Sequence, residues 1–175
     1  EGASDLDEIT YEGYGPGGGA ILVHAVTDNR NRTASEVRSA FSKGGGNLGE
    51  SGCVAWNFEA KGIVVVDSES NTEAEEIGLF AIEAEAEDVK IEGNSVEIYT
   101  AQNAISTVEL ALKQNGISIT STDISLIPKT TVMLEAKEAE QTLKLLDTLE
   151  ELEDIQKAYT NADFPEEVLN KYSGE

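Results

Sequence analysis

Between residues 61 and 128 the chain reads strand, helix, hairpin, helix, strand, and few folds accept that order. Ile63-Val64-Val65-Val66 is a short branched apolar run of strand length. Thr72 and Glu75 form a capping box that opens a helix, with Ile77, Phe80, Ala81 and Ala84 on its apolar stripe. Residues 88–92 and 95–99 read as two strands joined at Gly93-Asn94, a two-residue hairpin signal. Ala101 to Asn115 carries Ala104, Ile105, Val108, Ala111 and Leu112 at helical spacing and stops at Gly116. A last strand lies within Ile117 to Ile127. The resulting order, βαββαβ, is the split-βαβ or ferredoxin-like arrangement.

The flanking segments supply the halves of a second such set. Residues 19–27 read as a buried strand, Thr33-Ala34-Ser35-Glu36 as a capping box, and Val37, Ala40 and Phe41 as the buried stripe of a helix that Gly44 ends. Residues 53–58 read as the next strand. After Pro128 come a short strand at Thr130 to Leu134 and a helix marked by Ala139, Leu143, Leu146, Leu149 and Leu152. A strand at about Ile155 to Thr160 follows, and Pro165 opens a short terminal helix. The expected fold is therefore α+β, with two ferredoxin-like βαββαβ domains, the second inserted into the first. Residues 8–60 plus 129–172 would form a discontinuous domain and residues 61–128 the insert.

Charge narrows the function. Thirty-four acidic residues stand against twelve basic ones in 175, a formal net charge of -22. Such a surface is soluble, but it repels phosphate backbones, whose affinity for proteins comes largely from Lys and Arg displacing counterions. The acidic runs Glu83 to Asp88 and Glu150 to Asp154 lack the spacing of a calcium loop and read as solvated faces, able to meet basic protein partners. No apolar run is long enough to span a bilayer, so no membrane partner is expected.

Catalytic chemistry finds no foothold. Cys53 is the only cysteine and has no sequence partner marking it as a nucleophile; His24, the only histidine, sits inside an apolar strand and reads as a hydrogen-bonded core residue. Gly13-Tyr14-Gly15-Pro16-Gly17-Gly18 matches G-x-G-x-x-G, yet it leads into a strand rather than a helix, and Pro16 removes an amide. It reads as a structural turn. A non-enzymatic protein without metal or cofactor is expected.

One basic spot breaks the acidic background. Arg30, Arg32 and Arg38 are the only arginines, and all lie in or just after Thr27-Asp28-Asn29-Arg30-Asn31-Arg32-Thr33. Read as a loop entering a helix, this segment offers free amides, the Asn29 side chain and two arginine forks to a phosphate. Arg38 and Lys43 extend the charge along the helix, and Tyr14 lies in the neighbouring Gly-rich element. The competing reading is that these arginines simply pair with surplus carboxylates.

Tyr-Glu-Gly-Tyr-Gly-Pro-Gly-Gly at 11–18, Thr-Asp-Asn-Arg-Asn-Arg-Thr at 27–33, Phe-Ser-Lys at 41–43 with Gly-Gly-Asn-Leu-Gly at 45–49, Ser-Leu-Ile-Pro-Lys around Pro128 and Tyr-Thr-Asn-Ala-Asp at 159–163 closely resemble the YebC/PmpR family. That family also includes the mitochondrial translational activator of cytochrome c oxidase. The resemblance implies a three-domain protein whose second and third domains are α+β, one inserted in the other, preceded by a basic helical domain that this chain lacks. It implies a cytoplasmic, non-enzymatic regulator of gene expression: in the usual description a DNA-binding transcriptional regulator, in the alternative a ribosome-associated translation factor that contacts ribosomal RNA and aids synthesis through proline-rich stretches. An acidic protein-interaction module is a further alternative. Most nucleic-acid contact would come from the missing domain, with Tyr14, Asn29, Arg30, Arg32, Arg38 and Lys43 as the site within this chain.

Overall fold

A computed structural model describes residues 5–173. It is a mixed α+β structure of two compact units, one formed, among the described residues, by 5–58 and 128–173, the other by residues 59–127.

The discontinuous unit is organised around a hairpin. Strand β1 (Asp7–Tyr14) pairs antiparallel with β2 (Ala20–Thr27) along its whole length, from Asp7 opposite Thr27 to Tyr14 opposite Ala20. Helix α1 (Arg30–Lys43) follows, then the two-residue strand β3 (Asn47–Leu48), which pairs with the end of β1. After the intervening unit come β8 (Val132–Met133), α4 (Ala136–Glu151), β9 (Ile155–Thr160), β10 (Ala162–Asp163) and α5 (Glu166–Ser173). The sheet order is β3-β1-β2-β9, while β8 and β10 form a separate parallel pair. Ile21, Val23 and Ala25 alternate along β2 and meet Val37 and Phe41 of α1 and Leu145 and Leu149 of α4 in one buried cluster. At the far end, Val168 of α5 packs with Leu134 and Ala139.

Three local expectations are corrected here. Residues 53–58 are not a strand: they form a turn and a 3-10 segment at Ala55–Asn57, and the next strand begins only at Phe58. The cause is Glu12, whose buried carboxylate accepts the amides of Gly52 at 2.6 Å, Val54 at 3.0 Å and Ala55 at 2.6 Å. Amides held by a side chain cannot enter a ladder. The Gly13 to Gly18 element read as a turn is one only at Pro16–Gly18; Gly13 and Tyr14 end strand β1, which the sequence reading does not assign. A Cβ on Gly13 would sit 2.5 Å from the Asn47 carbonyl oxygen and 2.8 Å from the Phe41 ring, so glycine is what lets β1 approach β3 and α1. The unit consequently builds its sheet from a β1–β2 hairpin, with no strand at 53–58. His24, finally, is only half-buried on β2.

The unit of residues 59–127 contains most of β4 (Phe58–Asp67), then α2 (Asn71–Glu83), β5 (Asp88–Glu92), β6 (Ser95–Thr100), α3 (Ile105–Gln114) and β7 (Ser121–Pro128). Its sheet order is β5-β6-β4-β7, with β6 antiparallel to both β4 and β5. Val64, Val66, Val96 and Ile98 of the central strands pack against Ala74 and Ile77 of α2 and Val108 and Leu112 of α3. Helix α2 starts two residues earlier than the Thr72 box suggests: Ser70 caps it by accepting the Glu73 amide, and the Glu73 carboxylate accepts the Glu69 amide.

Candidate nucleic-acid interface

Helix α1 differs from every other helix in its charge. Its fourteen residues hold Arg30, Arg32, Arg38 and Lys43 against the single acid Glu36. Helices α2, α4 and α5 each carry more acids than bases, and α3 balances Glu109 with Lys113. In a chain of net charge -22, one helix face is therefore positive.

The start of α1 corrects the reading of Arg30 and Arg32 as loop residues. The N-cap is Asn29, whose side chain accepts the Arg32 amide at 3.1 Å, while the Asn29 amide donates to Thr27 Oγ1 at 2.9 Å. Asn29 is thus spent on the helix start. Thr33 is not the cap: it is buried and donates its hydroxyl to Asp154 Oδ2 at 2.8 Å and to the Asn29 carbonyl at 3.1 Å. Asn caps at least as well as Thr, and the pull of Asp154 takes Thr33 inside. Both arginines therefore lie in the first helical turn, where the macrodipole disfavours positive charge.

Carboxylates offset that cost. Arg32 forks onto Asp154, Nε to Oδ2 at 3.1 Å and Nη2 to Oδ1 at 2.9 Å, and Nη2 also reaches Asp28 at 3.0 Å. The Asp154 side chain is only 7% exposed. Hydrogen bonds from Arg32 and then Thr33 hold its carboxyl below the usual range, against a smaller opposing effect of burial. Bonds to Asp154 first and Asp28 next hold the Arg32 guanidinium further protonated. Arg32 therefore ties α1 to the turn before β9. Arg30 meets Asp7 at 3.0 Å, with both side chains exposed, a pair that water screens strongly.

Arg38 and Lys43 are different. Among the described residues neither makes an ion pair, and both project from the exposed side of α1 beside the exposed serines Ser35, Ser39 and Ser42. Lys43 also lines a groove of about 380 Å³ with Gly44, Gly45 and Lys144, a lysine of α4 that is likewise without an ion pair among the described residues. Lys144 was not legible as a site residue, because an isolated lysine on an amphipathic helix gives no signal.

A second cluster lies at the end of β1. Tyr14 is exposed and donates its hydroxyl to the Cys53 carbonyl at 3.3 Å. Trp56 is 64% exposed and donates Nε1 to that same carbonyl at 2.9 Å. Two aromatic rings are thereby fixed around one acceptor, on a turn that Glu12 holds rigid. Trp56 is the chain's only tryptophan, which was its one available signal; the reading of 53–58 as a strand hid it. Cys53 itself is kept from thiolate character, since burial and the nearby Glu12 charge push its thiol up.

The α+β scaffold thus presents one net-positive helix face and one fixed aromatic pair. Residues 6–162 match the family described as TACO1/YebC second and third domain, and the chain belongs to that family. A protein of Dictyoglomus turgidum named "Probable transcriptional regulatory protein" is 48% identical over 167 residues, covering 95% of this chain and 67% of that protein. One of the same name from Moorella thermoacetica is 49% identical over 173 residues, covering 98% and 68%. A crystal structure of a conserved hypothetical protein from Aquifex aeolicus superposes with a TM-score of 0.82 at 44% identity, covering 97% of this chain and 69% of that one. The chain thus spans about two thirds of the length of these relatives. No described helix is long and apolar enough to cross a membrane.

Proposed function

We propose that this chain is part of a cytoplasmic, non-enzymatic regulator of gene expression that holds nucleic acid against the exposed face of α1. The observation that carries the reading is a pair of cations, Arg38 and Lys43, without ion pairs among the described residues, on the one net-positive helix of a strongly acidic chain. The relatives are named probable transcriptional regulatory proteins, and under that reading the partner would be duplex DNA. Arg38 and Lys43 would contact phosphates, with Arg30 joining by exchanging its screened partner Asp7, while Arg32 and Asn29 shape the helix start. Phosphate contacts of this kind position a protein without reading sequence. The same reading takes residues 61–128 as a ferredoxin-like module inserted into residues 8–60 plus 129–172, which the strand order β5-β6-β4-β7 supports.

The test is a salt titration of binding to a short DNA duplex and to a hairpin RNA. Arg38→Ala with Lys43→Ala is expected to flatten the slope of log affinity against log salt by about 2, near one per lost phosphate contact. An unchanged slope would remove α1 from the interface.

A second reading, contact with structured RNA such as that of the ribosome, is favoured by Tyr14 and Trp56. Exposed aromatic rings stack on unpaired bases, each stack contributing about 1–3 kcal/mol, and duplex DNA offers none. Trp56 also reports on its own site. Quenching of its fluorescence by a single-stranded or hairpin RNA, with weaker binding in Trp56→Ala, is the result expected for RNA. Quenching by neither RNA nor DNA would leave the aromatic pair outside any nucleic-acid site.

A further inference from the structure

The unit of residues 59–127 has an open apolar groove that its own core does not need. The walls are Leu79 and Ile82 of α2 and Val89 and Ile91 of β5, enclosing about 470 Å³. Leu79 is 70% exposed and Ile82 47%. Of the four walls, Val89 also packs against the unit's core of Val64, Val66, Ile98 and Leu112, whereas Leu79, Ile82 and Ile91 are not among the residues packed against it. Gly78 forms the base. A Cβ there would lie 3.2 Å from Val89 Cγ1 and 3.7 Å from Ile91 Cδ1, so the missing side chain is what keeps the groove deep.

The groove runs beside an unprotected sheet edge. β5 pairs with β6 alone, in regular register from Asp88 opposite Tyr99 to Glu92 opposite Ser95. Among the described residues no strand lies along its other edge, although one β5 amide, that of Val89, already donates to Asp88 Oδ1 at 2.9 Å. Natural edges are usually guarded by a bulge, a proline or an outward lysine. β5 has neither bulge nor proline, and its one lysine, Lys90, lies over the Tyr99 ring, 5.2 Å from its centre. A helix flanking an open strand edge, with apolar pockets between them, is the geometry that captures extended segments by strand addition.

Charge then selects the occupant. Glu75 and Asp88 rim the groove. Residues 59–127 contain fourteen Asp and Glu, against only Lys61, Lys90 and Lys113. Lys61 is already paired with Glu59 and Glu87. A polyanion is repelled here, and so is a second copy of this acidic chain. We propose that the groove binds an extended segment of a partner protein in which apolar residues alternate with Lys or Arg, added to β5 as a further strand. Its apolar side chains fill the space over Gly78, and its basic side chains, on the opposite face of the added strand, meet Asp88 and Glu92. This inference stands independently of the α1 reading.

The probe is a labelled peptide of alternating lysine and valine, titrated into the whole chain, with amide shifts mapping the contact. Saturable binding is expected, with shifts concentrated in α2 and β5. Leu79→Lys with Ile82→Lys is expected to weaken it roughly tenfold or more, through lost apolar burial together with repulsion of the basic peptide. Should that variant lose its fold, Leu79→Ser carries the same expected direction. A peptide N-methylated on alternate residues cannot pair as a strand and is expected to bind far more weakly. Equal binding of the N-methylated peptide, or of a peptide with serine in place of valine, would overturn the proposal by leaving only charge attraction. Shifts centred elsewhere, or a groove filled by self-association of the chain, would overturn it too.

Discussion

Glu12→Ala is expected to destabilise the unit formed by residues 5–58 and 128–173 by about 3 kcal/mol, at the upper end of what single substitutions do. Glu12 is 5% exposed and accepts three backbone amides, those of Gly52, Val54 and Ala55. Alanine leaves these donors to find water or stay unpaired, and the Val54 amide lies in a fully buried residue. The effect is also local. Hydrogen exchange should accelerate first at residues 52–55, and Trp56 should lose its fixed bond to the Cys53 carbonyl. Glu12→Gln keeps one acceptor oxygen and should fall between the two. Denaturant unfolding of the three proteins checks the order.

The same carboxylate gives a pH signature. Burial pushes the Glu12 carboxyl up, but the amides of Gly52, Val54 and Ala55 together pull it further down, so it ends below its usual range. The Asp154 carboxyl is lowered as well, by Arg32 first and Thr33 next. A group depressed in the folded state contributes stability that is present above its unfolded pKa and lost as pH falls through its folded pKa. Stability should therefore be flat near neutrality and fall on the acid side, below the usual carboxylate range. In Glu12→Ala that acid limb should be shallower, and equal limbs in both proteins would contradict the assignment.

These two carboxylates also show where the sequence stops being readable. The unit of residues 59–127 was legible almost element by element, because strand, helix and hairpin each announce themselves within a few residues. Local contrast is enough when Ile63 to Val66 sits beside a capped helix and Gly93-Asn94. Residues 53–58 carry equally good strand propensity, but Glu12, forty residues away, takes their amides. The Thr33 box was a sound local signal too, yet Asp154 draws Thr33 inward from a distance of 121 positions, and Asn29 becomes the cap. The candidate site inherits these misreadings. A side chain's residue type says what it can bind, not what already occupies it, so Arg32 and Arg38 look alike in the sequence and differ only in their partners.

Asp154→Ala should cost about 2–3 kcal/mol, since it removes the Arg32 fork and the Thr33 hydroxyl bond together, with charged hydrogen bonds contributing about 1.5–3 kcal/mol each before solvent screening. Screening keeps the total low, because Arg32 is 42% exposed and can rehydrate when released. A double-mutant cycle of Arg32→Ala with Asp154→Ala should show the two substitutions to be non-additive, as expected for residues sharing one network. The cycle separates two kinds of arginine. Arg32→Ala should lose stability and leave the salt slope of nucleic-acid binding unchanged, whereas Arg38→Ala should leave stability unchanged and flatten the slope. If Arg32→Ala instead flattened the slope with no loss of stability, its fork onto Asp154 would be an exchangeable contact, and the positive face of α1 would begin at its first turn.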